Sequence, residues 1–229
     1  MSLVWFLSFA HSDPAVALSP QDAERLAGTL KACPGLDRAR VHTPAQASDP
    51  YSDDGPGPVL VLELEFAGLV ACESALETAG PLSALAEPRT LPSLQGAKAA
   101  QQGFLARQYD VPEPRLAATV LCTYLVQYPG PAADVRAWHY HYARHHPAIM
   151  ATFPRVREVA IYTPAEIISG LPFARACAMQ RNKVAFDNPA DLDAALHSPV
   201  RETMRDDFLA FPSFEGGNAH HPMHTRVVG

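Results

Sequence analysis

Several large classes of protein are excluded by what this sequence lacks. It has no run of basic residues, and its formal net charge is −6, so it offers little to neutralise nucleic-acid phosphates. Its apolar start, residues 3–10, is too short to span a bilayer and follows no positively charged region. We therefore expect no nucleic-acid partner, no membrane span and no signal peptide.

Cysteine is also scarce, with only four residues and no Cys-x-x-Cys pair among them. They lie far apart, at positions 33, 72, 122 and 177. This spacing predicts reduced, mostly buried thiols and a cytoplasmic protein rather than a disulfide framework. The sequence also has no Gly-rich phosphate loop and no G-x-S-x-G motif, so nothing in it indicates nucleotide binding or serine-hydrolase catalysis.

What the sequence does contain is one order of elements that occurs twice. Helix caps, proline stops and apolar alternation predict strand, helix, strand, strand, helix, strand in each half. Pro34 and Pro154 lie 120 positions apart, and the strand-ending Phe66 and Phe186 keep the same offset. A constant offset over several elements indicates an internal duplication; the alternative is that short apolar patterns coincide by chance.

This order is typical of the split βαβ, ferredoxin-like unit, in which both helices cover one face of an antiparallel sheet. We therefore predict an α+β fold with one repeat in residues 1–114 and a second in residues 115–229. The uncovered sheet faces can pack on each other, which predicts an α+β barrel with facing antiparallel sheets. In detail, we expect a short edge strand from Phe104, a strand at residues 118–128 and one helix at residues 189–209.

Three stretches between residues 118 and 212 carry a resemblance to a known family. They are the helix end YARHHPA from Tyr142, the strand FPRVREVAIYTP and the segment FDNPADLDAALHSPVRETMRDDFLAF. In these the chain resembles the EthD-like members of the dimeric α+β barrel superfamily. The resemblance implies a small hydrophobic, often aromatic or polyketide-like ligand bound between sheet and helices. Family members include isomerases, lyases, decarboxylases and proteins of no known activity.

The first half lacks the His146-Pro147 pair of this motif and has Leu26-Ala27 at the same offset. We therefore expect the ligand cleft in the second half. The loop at residues 45–58 has no counterpart in that half and is rich in Asp, Ser, Gly and Pro. Such loops often carry function, so it is predicted to be mobile or to act as a lid.

The predicted helix at residues 132–153 carries the candidate catalytic residues. One stripe follows helical spacing and consists of Val135, His139, Tyr142, His146 and Ile149. His146 is the candidate general acid or base because imidazole titrates near neutral pH. Tyr142 and His139 beside it complete the predicted catalytic set, and Trp138 is a predicted substrate contact. The alternative is a helix–sheet seam in which the ring nitrogens bond to carbonyls.

A second set of candidates alternates along the predicted strands. Leu60, Leu62 and Leu64 should face the helices, so Glu63 should point between the sheets, where charges need partners or water. The predicted substrate-binding residues on that face are Arg40, His42, Glu63, Tyr162, Arg181 and Lys183. Functionally, Glu63 or Glu65 could act as a general base, and Arg181 or Lys183 as an anion clamp for a carboxylate or enolate. Alternatively, these residues form inter-sheet salt bridges or face solvent at the barrel rim.

Histidine clusters make metal binding a rival interpretation. His141 and His145 lie one helical turn apart, and His220, His221 and His224 form a second group. No carboxylate stands at a recognisable ligand spacing, so we expect no metal and no other cofactor. His11, after the first strand, is expected near the barrel mouth.

The sequence thus predicts a cofactor-free enzyme that acts by proton transfer, as an isomerase, a lyase or dehydratase, or a decarboxylase. Its substrate would be a small hydrophobic oxygenated compound, such as an aromatic compound, a lactone or a polyketide-like molecule. The first alternative is a non-catalytic binding or stress-type protein of the same fold, and the second is a haem- or metal-dependent barrel enzyme. The resemblance is also compatible with a homodimer.

Overall fold

Nine strands and five α-helices follow one another in the computed structural model, which describes residues 2–115 and 119–228. The strands are β1 (Ser2–Ala10), β2 (Leu36–Pro44), β3 (Leu60–Phe66), β4 (Lys98–Tyr109), β5 (Val120–Tyr128), β6 (Glu158–Ala165), β7 (Ala174–Arg175), β8 (Gln180–Phe186) and β9 (Ala219–Val228). The helices are α1 (Pro20–Lys31), α2 (Leu69–Ala75), α3 (Val135–Met150), α4 (Pro189–Leu196) and α5 (Pro199–Leu209), and 3₁₀ turns occur at Ser83–Ala86 and Pro92–Leu94.

Eight of these strands close into one antiparallel barrel. The order is β1-β3-β2-β9-β5-β8-β6-β4, and β4 pairs again with β1. The first four strands of the chain form one curved sheet and the strands of the second half form the other, with joints at β2–β9 and β4–β6. The short β7 adds to β4 in parallel. The predicted α+β fold with facing antiparallel sheets is confirmed, and the facing sheets are hydrogen-bonded along both edges. The division at residues 114 and 115 stays a proposal.

Strand alternation separates two kinds of core. Leu60, Leu62 and Leu64 point outwards and pack with Leu26 and Leu30 of α1, as predicted. A second outer core lies between α3, α4, α5 and the strands β5, β6 and β8. The inward side chains of the strands form a third core inside the barrel, where apolar residues surround a group of charged ones. The sequence period of two therefore decides which side chains meet the helices and which meet each other across the barrel.

Three predicted elements need correction or restriction. The strand from Phe104 is neither short nor at an edge: β4 runs over Lys98–Tyr109 and pairs with β1 and β6, because a closed barrel has no edge. The predicted helix at 189–209 is two helices, since Ser198 precedes a proline and adopts extended geometry. The strand predicted from residue 118 is described from Val120, and Ala118 lies outside the described residues.

Candidate functional site

A cleft of about 210 Å³ lies on the outer face of β5 and β8, beneath α3 and α5. The loop at residues 45–58 crosses over from the first half and covers one end of the cleft. The lining residues are Tyr51, Ser52, Tyr124, Val126, Tyr128, His146, Met150, Phe153, Asn182, Val184, Leu196, Arg201, Met204, Arg205, Phe208, Leu209, Asn218 and His220. The cleft thus lies beside the helix predicted to carry it, whereas the corresponding Leu26 and Ala27 of α1 are buried in the apolar core.

His146 is the best-positioned ionisable residue of the cleft. Its side chain is only 5% exposed, and its Nδ1 lies 2.7 Å from Oδ2 of Asp207 on α5. If Nδ1 carries the proton and donates a hydrogen bond to this carboxylate, Nε2 is unprotonated and its lone pair is free. Within the described residues Nε2 has no hydrogen-bond partner, and the ring lines the cleft. The pair therefore presents an unprotonated nitrogen to any molecule bound there.

The electrostatics of the pair suit a base that is neutral at pH 7. Burial lowers the pKa of His146, and the hydrogen bond to Asp207 opposes this effect without reversing it. Burial alone would raise the pKa of Asp207, but its hydrogen bond with His146 and the nearby imidazole charge hold the pKa below its usual value. A charged Asp207 beside a neutral His146 results, and this carboxylate can stabilise the imidazolium that proton uptake would create.

Asp207 is the residue that sequence reasoning missed. Two adjacent aspartates such as Asp206 and Asp207 usually mark a solvated helix face; Asp206 is exposed, but Asp207 is bonded to His146 instead. The signal was available in α5, because Asp207 follows the buried Met204 by three residues and so shares its face. A carboxylate on the apolar face of a helix needs a partner, and α3 supplies it in His146.

The other ring-bearing residues of α3 lie beside or beneath the cleft rather than in its wall. Tyr142 is fully buried, and its hydroxyl accepts a hydrogen bond of 2.6 Å from Nδ2 of Asn182. Trp138 stacks on the Tyr142 ring with centroids 5.0 Å apart. Nε2 of His139 lies 3.2 Å from the carbonyl oxygen of Met179, which is the seam arrangement considered as the alternative. Of the three predicted catalytic residues, the structure places only His146 against the cleft.

One ion pair and several hydrogen bonds hold the covering loop against the elements that line the cleft. Asp49 accepts hydrogen bonds from Arg201 of α5 at 2.9 Å and from the Tyr124 hydroxyl at 2.7 Å. Asp54 accepts one of 2.8 Å from the backbone N–H of His220, and the His220 ring stacks on Tyr124. The loop therefore covers one end of the cleft, and specific polar contacts hold it there. That it is mobile or acts as a lid stays a prediction.

The charged residues predicted to bind substrate lie inside the barrel and contact one another. Glu63 accepts hydrogen bonds from Arg40 at 2.7 Å, Lys183 at 2.8 Å and the Tyr162 hydroxyl at 2.9 Å. Nε2 of His42 is 3.2 Å from its second oxygen. Glu158, which sequence reasoning did not single out, pairs with Arg40 at 3.0 Å and Lys183 at 3.1 Å. We call these six residues the barrel network. Its Arg40–Glu158 and Lys183–Glu63 pairs join the two sheets, whereas its Arg40–Glu63 and Lys183–Glu158 pairs each lie within one sheet.

Burial and charge balance make the barrel network a closed system. Two cations and two anions oppose each other, and burial lowers the pKa of His42, which favours its neutral form. Burial alone would raise the pKa of Glu63, but Arg40 and Lys183 hold it well below its usual value. The Glu63 and Lys183 side chains are 1% exposed, so solvent and ligands do not reach them in this arrangement. Arg181 is not part of the network and lies at the barrel mouth.

The histidine clusters do not combine into a metal site in the part of the chain that the structure describes. There, no three His, Cys, Asp or Glu side chains are grouped so that they could hold a metal ion. The rings of His141 and His145 are 4.7 Å apart. Alternation along β9 directs His221 towards the barrel mouth, whereas His220 lines the cleft on the outer face.

His146 could serve as a haem ligand, but the cleft is too small to hold a haem group. A histidine whose second nitrogen is hydrogen-bonded to a carboxylate is a common metal-ligand arrangement, so His146 has the chemistry of an axial ligand. However, a cavity of about 150 Å³ in another protein is already suited to a single benzene. A cleft of about 210 Å³ therefore has room for one substituted ring or a small fused system, not for a four-ring macrocycle.

Comparison with known proteins gives fold relatives only. No protein-family profile and no curated protein sequence matches the chain. An anthrone oxidase-like protein of known structure aligns with 100% of this chain and 94% of its own at 14% identity, with a TM-score of 0.58. A monooxygenase-like protein from Fusobacterium nucleatum aligns over 99% and 92% at 6% identity, with a TM-score of 0.57. An EthD family protein from Bacillus halodurans aligns over 43% and 96% at 16% identity, with a TM-score of 0.34.

At these identities the likeness extends to the fold and not to the chemistry. No helix within the described residues is long and apolar enough to cross a membrane. The alignments of nearly full length agree with the barrel topology and with the expectation drawn from the motifs. The chain has the fold of the dimeric α+β barrel superfamily.

Proposed function

We propose that this protein is a cofactor-free enzyme that moves a proton on a small hydrophobic ring compound, with His146 as its general base and acid. The observation that carries the proposal is the buried pair of His146 and Asp207, whose free imidazole nitrogen borders the cleft. Abstraction of a proton next to a carbonyl requires a positioned base that is unprotonated at neutral pH, and the His146–Asp207 pair can provide one.

The proposed chemistry begins with the lone pair of His146 Nε2. This nitrogen takes a proton from a carbon next to a carbonyl, and the C–H electron pair stays on the substrate as an enolate. The imidazolium, stabilised by Asp207, then returns the proton. Return to another carbon completes an isomerisation, and transfer to a departing hydroxyl group completes a dehydration. Arg201 also lies in the cleft wall, where it is paired with Asp49 of the covering loop.

The walls of the cleft support a ring-shaped, mainly apolar substrate. Met150, Phe153, Val184 and Met204 supply apolar and polarisable contacts, and the cleft volume of about 210 Å³ matches one or two rings. The covering loop adds Tyr51 and excludes water from the base, which strengthens electrostatic interactions in the cleft. Among the substrates that the sequence suggested, these features favour an aromatic carbonyl compound or a lactone.

Hydrogen–deuterium exchange tests proton transfer without knowledge of the natural reaction. The full-length protein is incubated in D₂O with ring ketones, such as 1-indanone, 2-tetralone and cyclohexenone, and loss of the α C–H signals is followed by ¹H NMR. For any ketone that binds in the cleft, the wild type should exchange α protons faster than buffer. His146→Gln should reduce the rate by about 10²–10⁴-fold, the usual cost of losing a positioned acid or base.

The matched control is His145→Gln, because His145 is exposed on the neighbouring position of the same helix. It should exchange at the wild-type rate, and both variants should keep the wild-type circular dichroism spectrum. Ketones that bind in the cleft but exchange no faster than in buffer would contradict the proposal and favour the non-catalytic binding protein. A Soret band in the purified protein would favour the haem alternative. The expected homodimer and the cytoplasmic location stay predictions.

A further inference from the structure

A second cavity lies at the mouth of the barrel, on the opposite side of β5 and β8 from the His146 cleft. Its volume is about 490 Å³, and the inward side chains of Phe6, Ser8, Leu125 and Arg181 form its floor and walls. The end of the covering loop, residues 56–58, closes one side. This cavity is separate from the barrel network, whose residues do not line it.

Arg181 is a buried cation that lacks an anionic partner. The buried cationic side chains of the described residues are Arg40, Arg157, Arg181 and Lys183. Three of them form ion pairs with carboxylates, but for Arg181 the described residues contain no carboxylate within 4.0 Å. Its side chain is only 9% exposed, its Nε has no hydrogen-bond partner there, and its closest polar contact is Ser8 Oγ at 3.4 Å.

The surroundings hold this guanidinium in place without neutralising it. Its central carbon lies 4.9 Å from the ring centroid of Phe6 and 5.5 Å from that of Phe104, so the aromatic faces support the planar group. Burial lowers the pKa of Arg181 to about 10, so the side chain stays charged at neutral pH. A charge that is desolvated and unpaired is unfavourable, and an anion bound in the cavity would remove that penalty.

The electrostatic character of the lining points the same way. Lys98 adds a second positive charge at the border of the cavity, and no Asp or Glu of the described residues lines it. His11 and His221 also border it, and burial lowers the pKa of His221, which favours a neutral ring. His11 is thus located at the barrel mouth, as the sequence predicted. The remaining walls are largely apolar, from Phe6, Val61 and Leu125 to small alanines. A ligand with one anionic group and an apolar body would match both parts of the cavity.

We propose that the barrel mouth is a second ligand site, which binds a small carboxylate with an apolar body through the guanidinium of Arg181. A planar guanidinium presents two parallel N–H groups that match the two oxygens of a carboxylate. Phosphate can also bind a guanidinium in this way, so the apolar walls of the cavity would select against inorganic phosphate, which has no apolar body. The apolar body would lie against Phe6 and Leu125, and Ser8 and Gln127 would border the carboxylate. The site is independent of the reaction proposed for the cleft.

Calorimetric titration of the full-length protein with benzoate tests this site. Benzoate should bind the wild type, and benzamide, which has the same shape without the charge, should bind at least about tenfold more weakly, as expected for loss of a charge-assisted hydrogen bond. Arg181→Met should weaken benzoate binding by about 10- to 100-fold on the same grounds. Inorganic phosphate should compete with benzoate poorly; if it binds more tightly than benzoate, the carboxylate assignment is overturned.

Two matched variants separate this site from other cations and from the cleft. Arg175→Gln, at an exposed arginine paired with Glu166, and His146→Gln should both bind benzoate like the wild type. Equal affinity of Arg181→Met and the wild type would overturn the proposal. If Arg181→Met does not fold, the ¹⁵N–¹H signal of Arg181 Nε in the wild type decides: it should shift on addition of benzoate, and an unchanged signal at saturating benzoate would also overturn the proposal.

Discussion

Neutralising Glu63 should destabilise the protein strongly, because this carboxylate is the centre of the barrel network. Glu63→Gln preserves the shape of the side chain but removes one of the two negative charges that face Arg40 and Lys183. The network then holds one excess positive charge in a place where the Glu63 side chain is 1% exposed. Removing one partner of a buried ion pair typically costs about 3–5 kcal/mol.

Glu158 moves the expected value towards the lower end of this range. It lies 3.0 Å from Arg40 and 3.1 Å from Lys183, so each cation keeps one anionic neighbour in the variant. With a urea m-value of about 3 kcal/mol/M, a loss of about 3 kcal/mol lowers the unfolding midpoint by roughly 1 M. Urea unfolding followed by circular dichroism at pH 7 measures this shift.

A second substitution distinguishes a charge effect from a packing effect. Glu63→Gln combined with Lys183→Met restores the charge balance, so the double variant should be more stable than Glu63→Gln alone. The control is Glu65→Gln on the same strand, whose partner Arg38 is 4.0 Å away and about one third exposed. That change should cost less than about 1 kcal/mol. A double variant less stable than the single one would refute the argument from charge balance.

Three further predictions concern other parts of the molecule. Burial lowers the pKa of both His42 and His146 below the usual histidine value of about 6.5, so near and below pH 6.5 the unfolded chain binds more protons than the folded one. The free energy of unfolding should therefore decrease from pH 7 to pH 5.5, which urea midpoints at the two pH values would measure. An increase would contradict the assignment of both histidines as neutral in the folded protein. Asp49→Asn should weaken the contact between the loop and Arg201, so proteolytic cleavage within residues 45–58 should increase while cleavage elsewhere stays unchanged. A wild-type cleavage pattern would show that the Asp49–Arg201 pair does not hold the loop in place. Trp138→Ala should reduce the free energy of unfolding, measured in urea, by about 3–5 kcal/mol, because the indole is buried. Tyr140→Ala removes an exposed ring of the same helix and should reduce it by less than about 0.5 kcal/mol. Similar losses in the two variants would contradict the packing described for α3.

The sequence was sufficient for the features that depend on local periodicity. Alternation in β3 correctly separated Leu62, which meets the helices, from Glu63, which meets the other sheet. The start of α1 is another local feature: Ser19 caps the helix and Pro20 is its first residue, and both residue types are typical of these positions. The offset of 120 aligned Glu63 with Lys183, and the two side chains touch inside the barrel.

Features that depend on contacts between distant elements could not be predicted in this way. The spacing of Asp207 from Met204 could indicate the apolar face of α5, but nothing in the sequence indicates that α5 packs on α3 and that His146 is the partner of Asp207. The strand β4 looked like an edge because its second partner, β6, lies in the other half of the chain. The position of the loop over the cleft also depends on Arg201, which is far from Asp49 in sequence. Each of these features is a long-range pairing with no local signature.

The central claim is that Asp207 holds His146 as a neutral base with its free nitrogen in the cleft, and ¹⁵N NMR of the histidine rings tests it most directly. In the wild type, the His146 signals should show a proton on Nδ1, none on Nε2 and a pKa below about 6.5. Because the Asp207 charge favours the protonated ring, Asp207→Asn should lower this pKa further. A proton on Nε2 in the neutral wild-type ring, or a pKa that rises in Asp207→Asn, would contradict the account.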